Sequence, residues 1–469
     1  MKKVLVCLLA AAMLLSMAAA CGSAPAQDQK QPSAPAEETN NKGTEPGAET
    51  VEVTFWHCLG GALLDPVEAL VAEFNETVGA QQGIHVTSVF QGDDVMAVLN
   101  PVLQTDDVAN MPDIANVSYS ETHVMSTCEY VMWLQDFLDA DSELGKEDFL
   151  ENAAYAVSVN DRMIALPFSV SAMILYYNKD MFEAAGLDPE TPPATLAELA
   201  EYTEKLTIRQ SDGSIQVYGF ACTPDRWHLS NWIGGLGSCI GNNEGGRTGA
   251  FTEISCATDG TLETVLTEYQ KVVATGGVQN NAADQRAEFL AGQYAMILQS
   301  SSRISSFMAA AKEGGWKLGV APLPAVNEQA TGGESAGGAA LYIFDRGDSK
   351  RAQAAYTFAK WMGSADVQAR WSQSTGYVPT NVGSEDTDSW KTYTAETPEA
   401  LVPLNILKSS SIDNQEPLDP ISNELSSNYK DAFNALYEGK PIETIVSEVA
   451  EKCNSALDYY YETNPQELW

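Results

Sequence analysis

The stretch VEVTFWHCLGGALLDPVEALVAEFNET, followed by GIHVTSVFQG, limits the fold more than any other feature of the chain. Val51 to Trp56 reads as a strand, and Gly60-Gly61 supply a turn. Leu63, Leu64, Val67, Leu70, Val71 and Phe74 then recur at helical spacing, an apolar stripe on one face. Ile84, Val86, Ser88 and Phe90 alternate as a second strand. Two strands joined by a helix of this length lie parallel in one sheet with a right-handed crossover. The chain is therefore expected to be an α/β protein.

The same grammar recurs. A further helix leads to a strand at Ile114 to Val117. In IALPFSVSAMILYYNKDMF, two apolar strands flank a break at Pro167. Asp180 to Ala185 forms a short helix closed by Gly186, and Thr195 with Glu198 makes a capping box for a helix reaching Leu206. Gly292 stops another helix before a strand at Tyr294 to Leu298 and a serine cluster. WKLGVAPLP and GGAALYIF read as strands, and the remainder is mainly helical, with no internal repeat. At 469 residues the chain exceeds one ordinary core, so two lobes are expected.

Charge and termini restrict the setting. With 64 acidic against 26 basic residues the net charge is −38, which repels nucleic acid. The first twenty residues, with Lys2 and Lys3 before an apolar run and small residues, form a signal peptide. Ala18-Ala19-Ala20-Cys21-Gly22 resembles a lipobox, with Ala18 where a Leu is usual, so Cys21 is the expected lipidation site. From Gly22 to Thr50 the composition suits a flexible tether. The cysteines beyond it are Cys58, Cys128, Cys222, Cys239, Cys256 and Cys453, an even set compatible with disulfides in an exported protein. Their spacing carries no zinc pattern, and no cofactor motif is present.

Ligands of open α/β sheets sit where strands end. The strands run out into His57-Cys58, Gln91 to Asp94, Ser118-Tyr119, Phe168 to Ser171 and Ser300 to Ser302. These are polar, aromatic and small residues without a nucleophile–base–acid set. Asp93 and Asp94 are neighbours that point opposite ways in an extended segment, so they make no catalytic pair. His57 and Cys58 likewise face opposite sides.

Several segments together resemble the extracellular solute-binding lipoproteins of bacterial ABC importers, in the sugar-binding branch. They are LYYNKDMFEAAGLDPETPPATLAELAEYTEKL, FLAGQYAM, GGAALYIF and AAYTFAKWMGSADVQARWSQSTGYVPTN. FWH with nearby glycines and the Trp-rich loop DRWHLSNWIGG are similar to the glycerol-3-phosphate-binding proteins of that branch.

The resemblance implies a two-lobed, periplasmic-binding-protein-like clamshell with hinge crossings near Phe168 to Ser171, Trp316 to Val320 and Tyr342 to Phe344. The lobes are then residues 51–170 with 318–344, and 171–317 with 345–469, after a signal peptide at 1–20 and a tether at 21–50. Pocket positions implied are Ser171, Trp227, Ser300 or Ser301, Gly337 or Gly338, and Tyr377. Asp94 and Tyr119 stand where the family has a Tyr and a Glu, and Trp232 joins Trp227 as an aromatic platform. The family's phosphate-binding Arg falls in KSSSIDNQEPLDP, which has none.

A small carbohydrate therefore ranks ahead of glycerol-3-phosphate or a glycerophosphodiester, for which Arg226 or Arg303 would have to substitute. The implied protein is a monomeric binding protein, not an enzyme, held on the outer face of the cell membrane by Cys21 and delivering to an ABC permease. An anchored glycosidase and a sensory receptor of the same fold are the alternatives.

Overall fold

The computed structural model describes residues 50–465. The expected signal peptide, Cys21 and nearly all of the tether lie outside the described residues. Strands in chain order are β1 (Val51–His57), β2 (Ile84–Phe90), β3 (Ile114–Ser118), β4 (Val131–Met132) and the hairpin β5 (Ser158–Val159) with β6 (Arg162–Met163). They continue as β7 (Leu166–Ser171), β8 (Met173–Asn178), β9 (Ile208–Arg209), β10 (Ile215–Ala221) and β11 (Val278–Gln279). The last are β12 (Tyr294–Ser300), β13 (Leu318–Pro322) and β14 (Gly337–Phe344).

Two mixed sheets result. The first has the order β2-β1-β3-β14-β4, with β7 also paired to β14. The second has the order β11-β10-β12-β8-β13, with β9 on β10. The opening βαβ unit forms as expected: β1 and β2 pair in parallel from Val51↔Ile84 to His57↔Phe90. Between them the helix Leu64–Phe74 buries Val67, Leu70, Val71 and Phe74, the face its periodicity marks. Its Phe74 meets Phe358 edge-on at 5.1 Å, which ties a C-terminal helix to the first sheet.

β8 shows how the two cores meet. Met173, Leu175 and Tyr177 face one core, while Ile174 and Tyr176 face the other, the alternation a strand imposes. The core over the first sheet thus runs on without a break to one face of the second. The opposite face packs on Trp232, Tyr269 and Phe433.

This partition corrects the expected boundaries. β13 pairs antiparallel with β8 in the second sheet, although the expected boundaries place 318–344 wholly in the first lobe. The helices Ser349–Met362, Ala365–Thr375 and Leu401–Ser409 bury their apolar faces in the first core, although the same boundaries place 345–469 in the second lobe. Only Ser422–Tyr437 and Ile442–Thr463 join the second. The chain therefore passes between the sheets at Ala172, at 323–336 and at 410–421. The first crossing lies one residue beyond its expected place, and the other two lie elsewhere. An amphipathic helix announces which face is apolar but not which sheet it covers.

All six cysteines in the described residues are unpaired, three of them buried. No helix among these residues is long and apolar enough to cross a membrane.

Candidate functional site

A cavity of ≈ 490 Å³ opens where the strand ends of the two sheets face each other. The first sheet contributes Ser118, at the end of β3, with Tyr119 and Ser120 beyond it. It also contributes Ser171 of β7 and Gly337 and Gly338 of β14. The second contributes Ser300 of β12, then Ser302 and Arg303, and Trp227 on the helix after β10. Tyr377, Asp225, Arg226, Glu416 and Ser426 complete the wall.

Trp227 is placed by its helix, Arg226–Gly235. Asp225 caps that helix, accepting from the backbone N–H groups of Trp227 at 3.0 Å and His228 at 3.2 Å. The indole lies against β14, so that a Cβ at Gly337 would overlap its ring. Gly337 is needed for that close approach across the cavity. Gly338 has φ +110, and a Cβ there would overlap the carbonyl of Ser169. Tyr377 is fixed by parallel stacking on Trp371, at 5.7 Å between ring centroids.

Of the ten expected ligand positions, seven line this cavity: Ser171, Trp227, Tyr119, Ser300, Gly337, Gly338 and Tyr377. Three do not. Trp232 is 1% exposed and its Nε1 donates to the carbonyl of Pro324 at 3.1 Å. Five residues along a helix turn the side chain by about 140°, so Trp227 and Trp232 face opposite ways. Ser301 is fully buried and is bonded to the first crossing: its N–H donates to the carbonyl of Ala172 at 2.9 Å, and its hydroxyl accepts from Ala172 N–H at 3.3 Å. Asp94 lines an adjoining cavity of ≈ 250 Å³ with Cys58, Asp93, Asn116 and Glu121, and its carboxylate caps the N–H of Met96 at 2.9 Å. Ser118, Ser120 and Ser426 are common to both cavities.

The charged groups divide into spent and free. Arg226 is 4% exposed and donates to Glu416 at 3.0 Å, Asp419 at 2.6 Å and Ser422 at 2.8 Å. Burial pushes both carboxyls up, Asp419 to about 6, while Arg226 pulls them back. Two carboxylates thus consume this guanidinium, which lines the cavity while clamping the 410–421 crossing. Asp225 is likewise engaged, with the cap and with His228 Nδ1 at 2.8 Å. Against its burial, Cys222 and Asp225 push His228 up to about 10. Cys222, His228 and Asp225 mimic a nucleophile triad in outline, with Cys222 Sγ 3.6 Å from His228 Nε2. The thiol is sealed in the second core at 1% exposure, out of reach of any substrate.

Arg303 also lines the cavity but, unlike Arg226, has its Nε buried and without a hydrogen-bond partner. The hydroxyl of Tyr119 and Nε1 of Trp227 are also buried and unpartnered. Ser118, Ser302 and Glu416 line the cavity without being among the expected ligand positions. For the two serines, the hydroxyl-rich runs at strand ends are the available signal. His57 is fully buried, its Nδ1 accepting from the Leu59 N–H at 3.2 Å, and burial pushes its pKa down. Among the described residues no group of three or more His, Cys, Asp or Glu side chains is placed to hold a metal ion.

A family model described as bacterial extracellular solute-binding protein matches residues 69–398. The sn-glycerol-3-phosphate-binding periplasmic protein UgpB of Yersinia pestis is 27% identical over 341 residues, covering 70% of this chain and 74% of its own length. UgpB of Mycobacterium tuberculosis, solved with glycerophosphocholine, superposes with TM-score 0.70 at 20% identity over 88% of this chain and 98% of its own. The GacH receptor of Streptomyces glaucescens, solved unliganded and with acarbose, gives TM-score 0.70 at 20% identity with the same coverage. These two solved structures share the two-lobed fold.

Proposed function

Because the chain belongs to the bacterial extracellular solute-binding proteins, we propose that its cavity captures a small carbohydrate or polyol outside the cell and delivers it to the permease of an ABC importer. One observation carries this reading: the cavity draws hydroxyls and an aromatic ring from both sheets at once. Tyr119 and Ser171 face it from one side, and Trp227, Ser300 and Ser302 from the other. Serine and tyrosine hydroxyls both donate and accept, which suits a ligand made of hydroxyl groups. The indole face suits the apolar face of a sugar ring. A volume of ≈ 490 Å³ lies within the range of small-molecule sites.

Ligand bridging the two sides favours whichever arrangement of the lobes lets both sets touch it. Only that difference in affinity shifts the population of conformers, and the shifted form is what a permease would read. Cys21 anchoring a monomer beside that permease completes the proposal. A glycerophosphate is the second reading. It is favoured by Arg303, the cation of the cavity that no carboxylate neutralises, and by the likeness to the sn-glycerol-3-phosphate-binding UgpB.

Titration calorimetry against monosaccharides, oligosaccharides, polyols and glycerol phosphates tests both. Saturable binding of one class is expected. Absence of binding across the panel refutes the carbohydrate or polyol reading.

A further inference from the structure

We propose that Arg303 forms an anion subsite in the cavity, so that the ligand is a sugar or polyol bearing one acidic group, a carboxylate or a phosphate ester. The inference rests on the reading of the cavity as a solute site. It adds the charge of the solute and the residue that recognises it.

Arginines elsewhere in the chain are all engaged. Each of them donates to a carboxylate, a hydroxyl or a backbone carbonyl. The guanidinium groups of Arg303 and Arg286 alone make no such bond among the described residues. In a chain with 64 acidic residues, an unpaired guanidinium at a cavity wall is not for want of carboxylates. Arg303 is partly buried, and its Nε is shut off from solvent with nothing to donate to. A buried donor left this way is costly, and a guanidinium more so than a neutral group.

The surroundings are cationic as well. Burial and the neighbouring Arg286 push the pKa of Arg303 down, and Tyr377, Tyr176 and Asp93 restore it only in part. None of these three is within ion-pair distance. Arg286 lies at the start of the helix Gln285–Leu290, next to the end of β12 in the fold, and is itself exposed. Donors share the wall with Arg303: the buried Trp227 Nε1 has no acceptor, and the Ser302 hydroxyl stands 3.0 Å from that of Ser300.

The acidic residues nearby have partners of their own for at least one oxygen each. Glu416 is held by Arg226, Asp225 by the helix cap and His228, and Asp94 by the N–H of Met96 in the adjoining cavity. Arg303 is thus the guanidinium of the wall that no carboxylate holds, although the second oxygen of Glu416 is also without a partner.

Matched neutral and acidic probes decide the matter, with calorimetry on the purified protein. The pairs are D-glucose with D-glucuronate and glucose 6-phosphate, and glycerol with glycerol 3-phosphate; inorganic phosphate alone is the control for an ion without a polyol. An acidic member is expected to bind about tenfold or more tightly than its neutral partner, as a charge-assisted bond to a buried guanidinium provides. Glucuronate against glucose 6-phosphate separates carboxylate from phosphate ester. Arg303→Gln should abolish the preference, and Arg303→Lys should keep part of it. Thermal unfolding of each variant checks that the fold is intact. Neutral members binding as well as acidic ones, or Arg303→Gln keeping the preference, overturns the subsite and leaves the solute reading standing. If no probe binds, the solute reading falls and the subsite with it.

Discussion

Glu334 offers the sharpest test of the fold's energetics, because a buried carboxyl has been placed where the chain passes between the sheets. It lies in the 323–336 crossing at 4% exposure, and its Oε1 accepts from the N–H of Leu323 at 3.3 Å. The backbone of Met173, one residue past the first crossing, also donates to it. Its own N–H donates to Ser410 Oγ at 2.8 Å, at the start of the third. Among the described residues no Lys, Arg or His pairs with it, and Oε2 has no partner. Burial pushes its carboxyl up to about 8 from the ordinary 4.5, with the two backbone bonds opposing.

A raised carboxyl pKa sets the sign of the pH effect. Below about 4.5 both folded and unfolded chains hold the proton, and the favourable term is fully present. Between about 4.5 and 8 the unfolded chain loses the proton while the folded chain keeps it, so stability falls by about 1.4 kcal/mol per pH unit. By pH 7 the loss is on the order of 3 kcal/mol, and above about 8 it levels off. Glu334→Gln retains shape and an acceptor but cannot ionise. The variant should therefore match the natural protein near pH 4.5, exceed it by roughly 3 kcal/mol at pH 7, and by roughly 5 kcal/mol well above pH 8. Urea denaturation midpoints of both proteins, measured from pH 4.5 to 9, provide the comparison. A difference that does not change with pH, or a variant less stable at pH 8, refutes the reasoning.

Trp227→Ala should weaken ligand binding by about 1–2 kcal/mol, roughly five- to thirty-fold, with little change in melting temperature; calorimetry with the bound solute reads it. Gly337→Ala forces the indole away from β14, so it should weaken binding in the natural background and do little when Trp227 is already Ala; the double-mutant cycle measures that coupling. Arg226→Met strands Glu416 and Asp419 without a cation, at a cost of about 3–5 kcal/mol near pH 8. Because burial already pushes both carboxyls up, the penalty should shrink toward pH 5 as they take up protons, which urea melts at the two pH values will show.

Local rules are enough where neighbours in sequence are neighbours in space. The stripe from Val67 to Phe74, the cap at Thr195 and the stop at Gly292 all recur in the structure. Glu198 completes its box one residue early, accepting from the N–H of Ala194 at 2.7 Å. Pairing between distant strands is not legible in this way. WKLGVAPLP reads the same whether it pairs in one sheet or the other, and only its antiparallel register on β8, Leu318↔Asn178 to Pro322↔Ile174, decides. Within the site, the glycines of DRWHLSNWIGG make it read as a loop. Asp225 before Arg226 is an N-cap signal that makes it a helix, and the helical angle then separates Trp227 from Trp232. Arg226 and Arg303 cannot be ranked from sequence, since the carboxylates that occupy Arg226 lie some 190 residues away.

Some of the unpartnered buried atoms fall at the cavity and others beside the crossings. In a settled core such atoms are rare, because each costs about 1–3 kcal/mol. Here one group of them, Tyr119 Oη, Trp227 Nε1 and Arg303 Nε, lines the cavity. A second, Glu334 Oε2, Asn231 Nδ2 and Asn414 Oδ1, lies by the 323–336 and 410–421 crossings. A solute in the cavity satisfies the first group directly, which is the affinity the proposed function requires. Glu416, with Oε1 unpartnered, lies in both places, while Glu334, Asn231 and Asn414 do not line the cavity. Those atoms gain partners only if the crossings shift, so they lower the cost of shifting them relative to a fully bonded hinge. Ligand then supplies the bias and the hinge supplies the susceptibility. On this logic Glu334→Gln, which leaves the cavity untouched, should alter solute affinity wherever it alters the balance between lobe arrangements, while Trp227→Ala should alter affinity and leave the pH profile of stability as it was.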